Sequence, residues 1–319
     1  MNNNPFKALG FFALFKAQSG IGELWRYSQL KVEELINYLN SSARVSKFGL
    51  NYSANQFPTS KMRESGRMTR GAVTSDLPSR APMTLETLAK EEGIYNLDND
   101  LRFRRRLKIA RQVATWIRLI PSIKFIAVAN NLSFGVATIT GDIDLFIVTS
   151  TQTISLTRAL VAMFLVLLKL RPRVGRPDTV CASFFISEDN LELSRLTIPN
   201  DIYFKFWLGA LLPIYDPDNL LKQMFLTNHV LLAEFPNIIP KSICPQFKLA
   251  VRTKWLDVFL PLFRAVEPIT AQLQFKLFPS EIKNILNLDT RVVVTNQVLK
   301  FHTNDRREYF RDQLKDFCE

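Results

Sequence analysis

KFIAVANNLSFGVATITGDIDLFIVTS, residues 124–150, holds two apolar runs around a polar centre. Lys124 to Ala129 is short and rich in Ile, Phe and Val, the composition of a buried strand, and DIDLFIVTS (142–150) reads as a second one. Between them Asn130, Asn131, Ser133 and Gly135 supply the small and polar residues that turn a chain. Side chains at i and i+2 of a strand share a face, so Asp142 and Asp144 stand side by side while Ile143 and Leu145 turn to the core. Two carboxylates about 7 Å apart on a rigid strand repel each other unless a cation lies between them. Oxygen ligands suit a hard divalent ion such as Mg²⁺, or Mn²⁺. The Asn130 to Gly135 turn can offer backbone N–H groups and side-chain amides to phosphate oxygens. The plainer alternative is a solvated edge strand that carries two acids.

The chain downstream extends this pair of strands into an α/β unit. Ser155 to Leu170 has helical spacing, RPRVGRPD (171–178) is a basic loop, and TVCASFFIS (179–187) reads as a third strand. DIYFKFWLGALLPIYD (201–216) reads as one aromatic-rich helix, and its Tyr203, Phe204, Phe206 and Trp207 fit a core face better than a base-stacking platform. Residues 246–287 carry two helical patterns split at Pro261 and Pro268. A strand from Arg291 to Thr295, the turn LKFHTND and a charged helix from Arg306 follow; there Asn304 or Asp305 caps the helix, or His302, Arg306 and Arg307 contact a substrate. No internal repeat is evident.

Upstream, RFRRRLKIARQVATWIRLI (102–120) reads as an amphipathic helix. Leu107, Ile109, Ala110, Val113, Ile117 and Leu119 form its apolar face, with Arg102, Arg104, Arg105, Arg106, Lys108, Arg111 and Arg118 around the remainder. We place the domain junction near its start. Residues 6–40 suggest two or three short helices, 41–82 a polar, basic loop, and MTLETLAKEEG a helix capped by Thr84 that leads into a strand at 94–97. Helices followed by a strand within the first hundred residues are compatible with a small winged-helix type of domain.

The 319 residues carry 41 Lys and Arg against 29 Asp and Glu, a formal charge of +12. Residues 1–120 hold 19 of the cations and 10 of the acids, so most of the excess lies in the first third. A basic N-terminal third admits a nucleic-acid partner, although an ordinary solvated face explains it equally. With 47% hydrophobic residues and 25 Phe the chain has material for a packed core, which excludes disorder throughout. Cys181, Cys244 and Cys318 are widely spaced and only two histidines occur, which argues against a disulfide framework or a zinc site and for the cytoplasm. The apolar runs at 8–15 and 159–168 are too short for a membrane span of about 20 residues, so no membrane is expected.

The run IAVANNLSFGVATITGDIDLFIVT resembles the signature of the DNA polymerase beta type nucleotidyltransferase superfamily, a Gly-Ser turn followed by Asp-x-Asp on the next strand. SLTRALVAMFLVLLKLRPR, CASFFIS, DIYFKFWLGALLPIYD and VLKFHTNDRREYFR further resemble a bacterial group of nucleotidyltransferase-domain proteins with a winged-helix N-terminal region. The resemblance implies transfer of a nucleoside monophosphate from a nucleoside triphosphate to a hydroxyl acceptor. Asp142 and Asp144 match the metal-binding carboxylates, and Asn130 and Asn131 fall where the family has its Gly-Ser turn. Gly141 stands where a Ser usually precedes the first Asp, and no acid lies within Val180 to Ile186, where the family typically supplies a third carboxylate. Asp178 and Glu188 are the nearest substitutes, while Arg171, Arg173 and Arg176 flank the site in sequence.

The expectation is therefore an α+β chain. A winged-helix-like domain spans 1–100, with a basic flexible loop around 41–82, and a mixed-sheet nucleotidyltransferase domain with C-terminal helical additions spans 101–319. The rival expectation is a catalytically degenerate nucleotidyltransferase fold that serves as a nucleic-acid-binding or regulatory module; a transferase acting on a partner protein is a third.

Overall fold

The computed structural model describes residues 11, 19–20, 24, 26–41, 45–48, 51–54, 101–137, 141–172, 176–242, 247, 249–251 and 254–318. The chain divides into two compact units, residues 1–95 with 313–319, and residues 96–312. The first contains β1 (Ser19–Gly20), α1 (Val32–Ser41), β2 (Val45–Phe48) and β3 (Asn51–Ala54). Its strands form an antiparallel sheet in the order β1-β3-β2, and Phe11, Leu24, Tyr27, Leu35 and Leu39 are buried. Composition assigns 45–48 and 51–54 to a loop, yet they pair as a hairpin, Val45 opposite Ala54 and Phe48 opposite Asn51. Two four-residue strands that are half polar carry too few apolar residues to register as a period-2 pattern. The helix expected after Thr84, the strand at 94–97 and the rest of the 41–82 loop lie outside the described residues.

The second unit runs α2 (Leu101–Ile117), β4 (Ile123–Ala129), α3 (Asn130–Ser133), β5 (Ile143–Thr149), α4 (Ile154–Leu167), β6 (Val180–Ser187), α5 (Ile202–Ala210), β7 (Leu212–Tyr215), α6 (Leu220–Thr227), α7 (His229–Leu232), α8 (Leu260–Leu277), α9 (Ser280–Ile285), β8 (Val292–Val294), β9 (Val298–Phe301) and α10 (Arg307–Cys318), whose end belongs to the first unit. Six strands form one mixed sheet in the order β7-β4-β5-β6-β9-β8. β5 and β6 are parallel, joined by the α4 crossover, and every other pairing is antiparallel. β4 and β5 are buried at nearly every position, which is why both read as continuous apolar runs and not as alternating ones.

Aromatic rings lock α5 onto the sheet. Phe146 lies edge-on to Phe125, Phe184 and Trp207, and Phe184 stacks on Trp207 with centroids 5.2 Å apart. Asp201 caps α5 by accepting the Phe204 N–H at 2.9 Å. The helix does not continue to Asp216 as the sequence suggests. It stops at Ala210, and Leu212–Tyr215 becomes an edge strand with Pro213 opposite Ala127. Proline cannot continue a helix and within sheets is confined to edges.

Two further expectations are corrected. Pro261 and Pro268 do not split the 246–287 region, because α8 runs through both. Pro261 occupies the first turn, where its missing N–H has no intrahelical partner in any case. Near Pro268 the helix is held from outside: Glu267 accepts the Ser155 and Leu156 N–H groups at 2.7 and 2.9 Å, capping α4. Arg106, assigned to the solvated basic face of α2, is buried and ion-paired to Asp178 at 2.8 Å. Among the described residues no helix is long and apolar enough to cross a membrane.

Candidate metal and nucleotide site

Asp142 immediately precedes β5 and Asp144 is the second residue of that strand, so the pleat sets both on one face. The parallel register brings Cys181 of β6 directly opposite Asp144. One oxygen of each carboxylate and the Cys181 sulfur all lie within 4.8 Å of one another. Burial pushes the Asp144 carboxyl from 3.8 up to about 7, the negative charge of Asp142 adds to the rise, and a hydrogen bond from the Asn130 side chain opposes it. The Cys181 thiol is pushed up to about 12, first by burial and then by the two aspartates, with Ser183 and Arg171 opposing.

Asn130 is the hinge between the strand and the turn. Its φ of 53° is left-handed, a conformation that asparagine tolerates better than most residues. Its side chain links two elements: the oxygen accepts the Tyr203 hydroxyl of α5 at 3.4 Å, and the amide faces Asp144. Tyr203, Asn130 and Asp144 thus form a chain of polar groups across the top of the sheet. Burial, followed by the charges of Asp144, Asp305 and Asp201, raises the Tyr203 phenol far above its ordinary value, so it acts as a proton donor and not as a phenolate.

The rest of the turn is closed on itself. Ser133 is fully buried and its hydroxyl donates to the Asn130 carbonyl at 2.8 Å. The N–H of Val136 donates to the Asn131 carbonyl at 2.9 Å. Asn131 and Gly135 are the exposed members, and Gly135 ends the turn at φ 80° with open space where a Cβ would project. Asn130, Asp142 and Asp144 are brought together; Ser133 instead braces the backbone, and Asn131 and Gly135 form the rim.

Neither substitute for a third acid joins the cluster. Asp178 is tied to Arg106 at 2.8 Å and Arg105 at 3.0 Å. Glu188 lies past the opposite end of β6, where its N–H donates to Thr149 and its carboxylate accepts from Thr151 at 3.4 Å. The position opposite Asp144 is taken by Cys181. Its role is illegible in sequence, because strand register decides it. Arg171 is exposed and its charge reaches Cys181 and Arg158; Arg173 lies outside the described residues.

On the same sheet face, farther from the aspartates, a second polar cluster surrounds α5. Arg307 binds Asp305, Asp201 at 3.1 Å, the Thr290 hydroxyl at 2.6 Å and the Leu196 carbonyl at 2.7 Å. Asp305 accepts the Arg307 N–H at 3.0 Å, the capping role expected of it. His302 lies edge-on to Phe184, and burial, followed by the charge of Lys300, drives it down to about 3, so it stays neutral. Buried Lys300 is lowered to about 7, chiefly by burial and then by Arg307.

Comparison with known proteins gives no match: no family model, no curated protein and no solved structure matches the chain.

Proposed function

We propose that the protein is a metal-dependent nucleotidyltransferase that moves a nucleoside monophosphate from a nucleoside triphosphate to a hydroxyl acceptor. The observation that carries this reading is the paired carboxylates of Asp142 and Asp144, set side by side on a buried strand next to a polar turn. Asp144 ionises reluctantly when alone, and a cation would reverse that cost by supplying the missing opposite charge. The donor set fits Mg²⁺ or Mn²⁺: two hard carboxylate oxygens, with Cys181 a protonated thiol that adds no charge. Asp142 and Asp144 would hold the ion, which would neutralise charge on the transferring phosphate.

The chain's own residues do the positioning. Tyr203 and Asn130 fix the Asp144 carboxylate through consecutive hydrogen bonds. Asn131 and Gly135 at the rim of the turn, with Arg171 nearby, face the polyphosphate. The acceptor hydroxyl attacks the α-phosphorus, the bond to pyrophosphate breaks, and the proton leaves to solvent, since no third carboxylate among the described residues stands by to receive it. The first unit supports a winged-helix-like reading through α1 followed by the β2-β3 hairpin, with β1 pairing to β3, and the basic first 120 residues suit a nucleic-acid partner.

A second reading has a specific observation behind it. Cys181 at the place of a third acid favours a fold that binds nucleotide without transferring it, a regulatory or nucleic-acid-binding module. One experiment separates the two. The protein is incubated with α-labelled nucleoside triphosphates, Mg²⁺ or Mn²⁺, and RNA, DNA or protein acceptors, and metal-dependent nucleotide binding is measured in parallel. Label transfer that disappears in the Asp142→Asn/Asp144→Asn variant supports the transferase. Binding that requires both aspartates, without transfer, supports the module. Neither binding nor transfer refutes both.

A further inference from the structure

The segment from the 3-10 turn Lys254–Phe259 through α8 buries none of its side chains fully. One of its faces is occupied, since Glu267 caps α4, Gln274 bonds Arg158 and the Ser155 carbonyl, and Arg264 reaches the Thr151 carbonyl. Trp255 and Phe259, whose rings lie 6.4 Å apart, stand on the 3-10 turn, and after them on another face of α8 Leu262, Val266, Ile269 and Leu273 recur at alternating steps of four and three. That is the spacing of a helix–helix seam, in which each step returns a side chain to the same line. Trp255, Phe259, Leu262, Ile269 and Leu273 of this line, with Val258 and Leu277 on its flanks, are between 44% exposed, at Phe259, and 72%, at Val258 and Leu277, while Val266 is half-buried.

The area matches what a second helix would cover. Taking ~150–250 Å² for each large side chain, the exposed part of the stripe comes to on the order of 700 Å². A stable interface takes ~800 Å² per partner, whereas folded monomers rarely leave a contiguous apolar patch of more than a few hundred Å² open. The stripe is uncharged as far as Lys276, so it carries nothing that would repel an identical surface.

We propose that this stripe is a self-association surface, on which α8 packs antiparallel against α8 of a second copy about a two-fold axis near Val266. A two-fold interface needs a self-complementary patch, which a neutral apolar line provides. Antiparallel order places Lys276 beside Trp255 of the second copy, a favourable cation–aromatic approach; parallel order would set Lys276 against Lys276. Ala265 and Val266 at the centre are small and allow the two backbones close approach. A lipid surface fits less well, because binding there draws on cations flanking the apolar face. Here Arg264 is turned to α4, which leaves Lys254 and Lys276 at the two ends.

Sedimentation equilibrium and small-angle scattering of the full chain test this. The wild type is expected to weigh twice its 36.7 kDa at ~100 µM, two decades above the micromolar constant at the weak end for an interface of this size. Leu262→Glu and Ile269→Glu are expected to give monomers with unchanged circular dichroism, since both positions are exposed. Val266→Cys near the axis should form an intermolecular disulfide faster than wild type. Leu277→Cys should not, because its copies stand about 33 Å apart at 1.5 Å per residue. A monomeric wild type at ~100 µM overturns the proposal, whether or not it floats with anionic vesicles. A dimer that persists in Ile269→Glu overturns it as well.

Discussion

Replacing Asp144 by Asn should make the metal-free protein more stable at pH 8 and leave it nearly unchanged at pH 4. The carboxyl is raised from 3.8 to about 7 in the folded state, mainly by burial and secondarily by Asp142. The folded chain therefore binds this proton more tightly than the unfolded chain between those two values, and stability falls as pH rises through that window. Below pH 4 both states are protonated and the term vanishes; above pH 7 its full cost persists. At 1.36 kcal/mol per tenfold the ceiling is about 4 kcal/mol. The side chain keeps part of its surface in water, so we expect about 2–4 kcal/mol. Asn removes the charge and keeps an oxygen for the Asn130 amide. For a unit of this size the gain corresponds to roughly 4–16 °C in Tm, read by calorimetry in chelator across pH 4 to 8.5. Adding Mn²⁺ or Mg²⁺ should then raise the wild type, by about 2.7 kcal/mol at a hundred times the dissociation constant, and not the variant. A shift of equal size at pH 4 and pH 8, or a loss of stability at pH 8, would refute the assignment of Asp144 as a buried, cation-seeking carboxylate.

Other outcomes follow from the same geometry. Asp178→Asn removes the carboxylate that meets the buried Arg106 at 2.8 Å and should cost about 3 kcal/mol in urea unfolding, while metal affinity stays within twofold; a large loss of affinity would return Asp178 to the site. Asn130→Ala should cost about 1–2 kcal/mol for the left-handed backbone, and Asn130→Gly should recover most of it. If both lose equally, the Tyr203 and Asp144 contacts and not the φ angle dominate. Arg307→Met strands Asp201, Asp305 and the Leu196 carbonyl together and should cost about 3–5 kcal/mol, read as a lower Tm in calorimetry; it also removes a charge that helps lower Lys300, so the Lys300 titration should move up from about 7. The Cys181 thiol, held up near 12, should resist iodoacetamide at pH 8 in the peptide map and react faster in the Asp142→Asn/Asp144→Asn variant.

The central strands and the site's acids were legible because both are local. A strand buried on two faces is apolar at nearly every position, and Ile123–Ala129 and Ile143–Thr149 are, apart from Lys124, Asp144 and Thr149; a pair of acids at i and i+2 must share a face, and Asp142 and Asp144 do. Asn130 was readable for its backbone, since few other residues enter the left-handed region, but not for its bonds to Tyr203 and Asp144. The end of α5 at Ala210 was missed because LPIY supports either element until an edge position on the sheet accepts its proline. Pro268 inside α8 misled in the same way, since the contacts that hold the helix there come from α4, far away in sequence.

By itself the sequence determined what depends on period and residue type: a mixed α/β body, a basic first third and one strand bearing two acids. The tertiary structure decided which partners those residues meet. Parallel register put Cys181 where a third carboxylate was sought, and the crossover through α4 turned Asp178 toward Arg106. It also left one face of α8 without a neighbour among the described residues. Register, crossover and packing join positions far apart along the chain, and no local pattern encodes their distance.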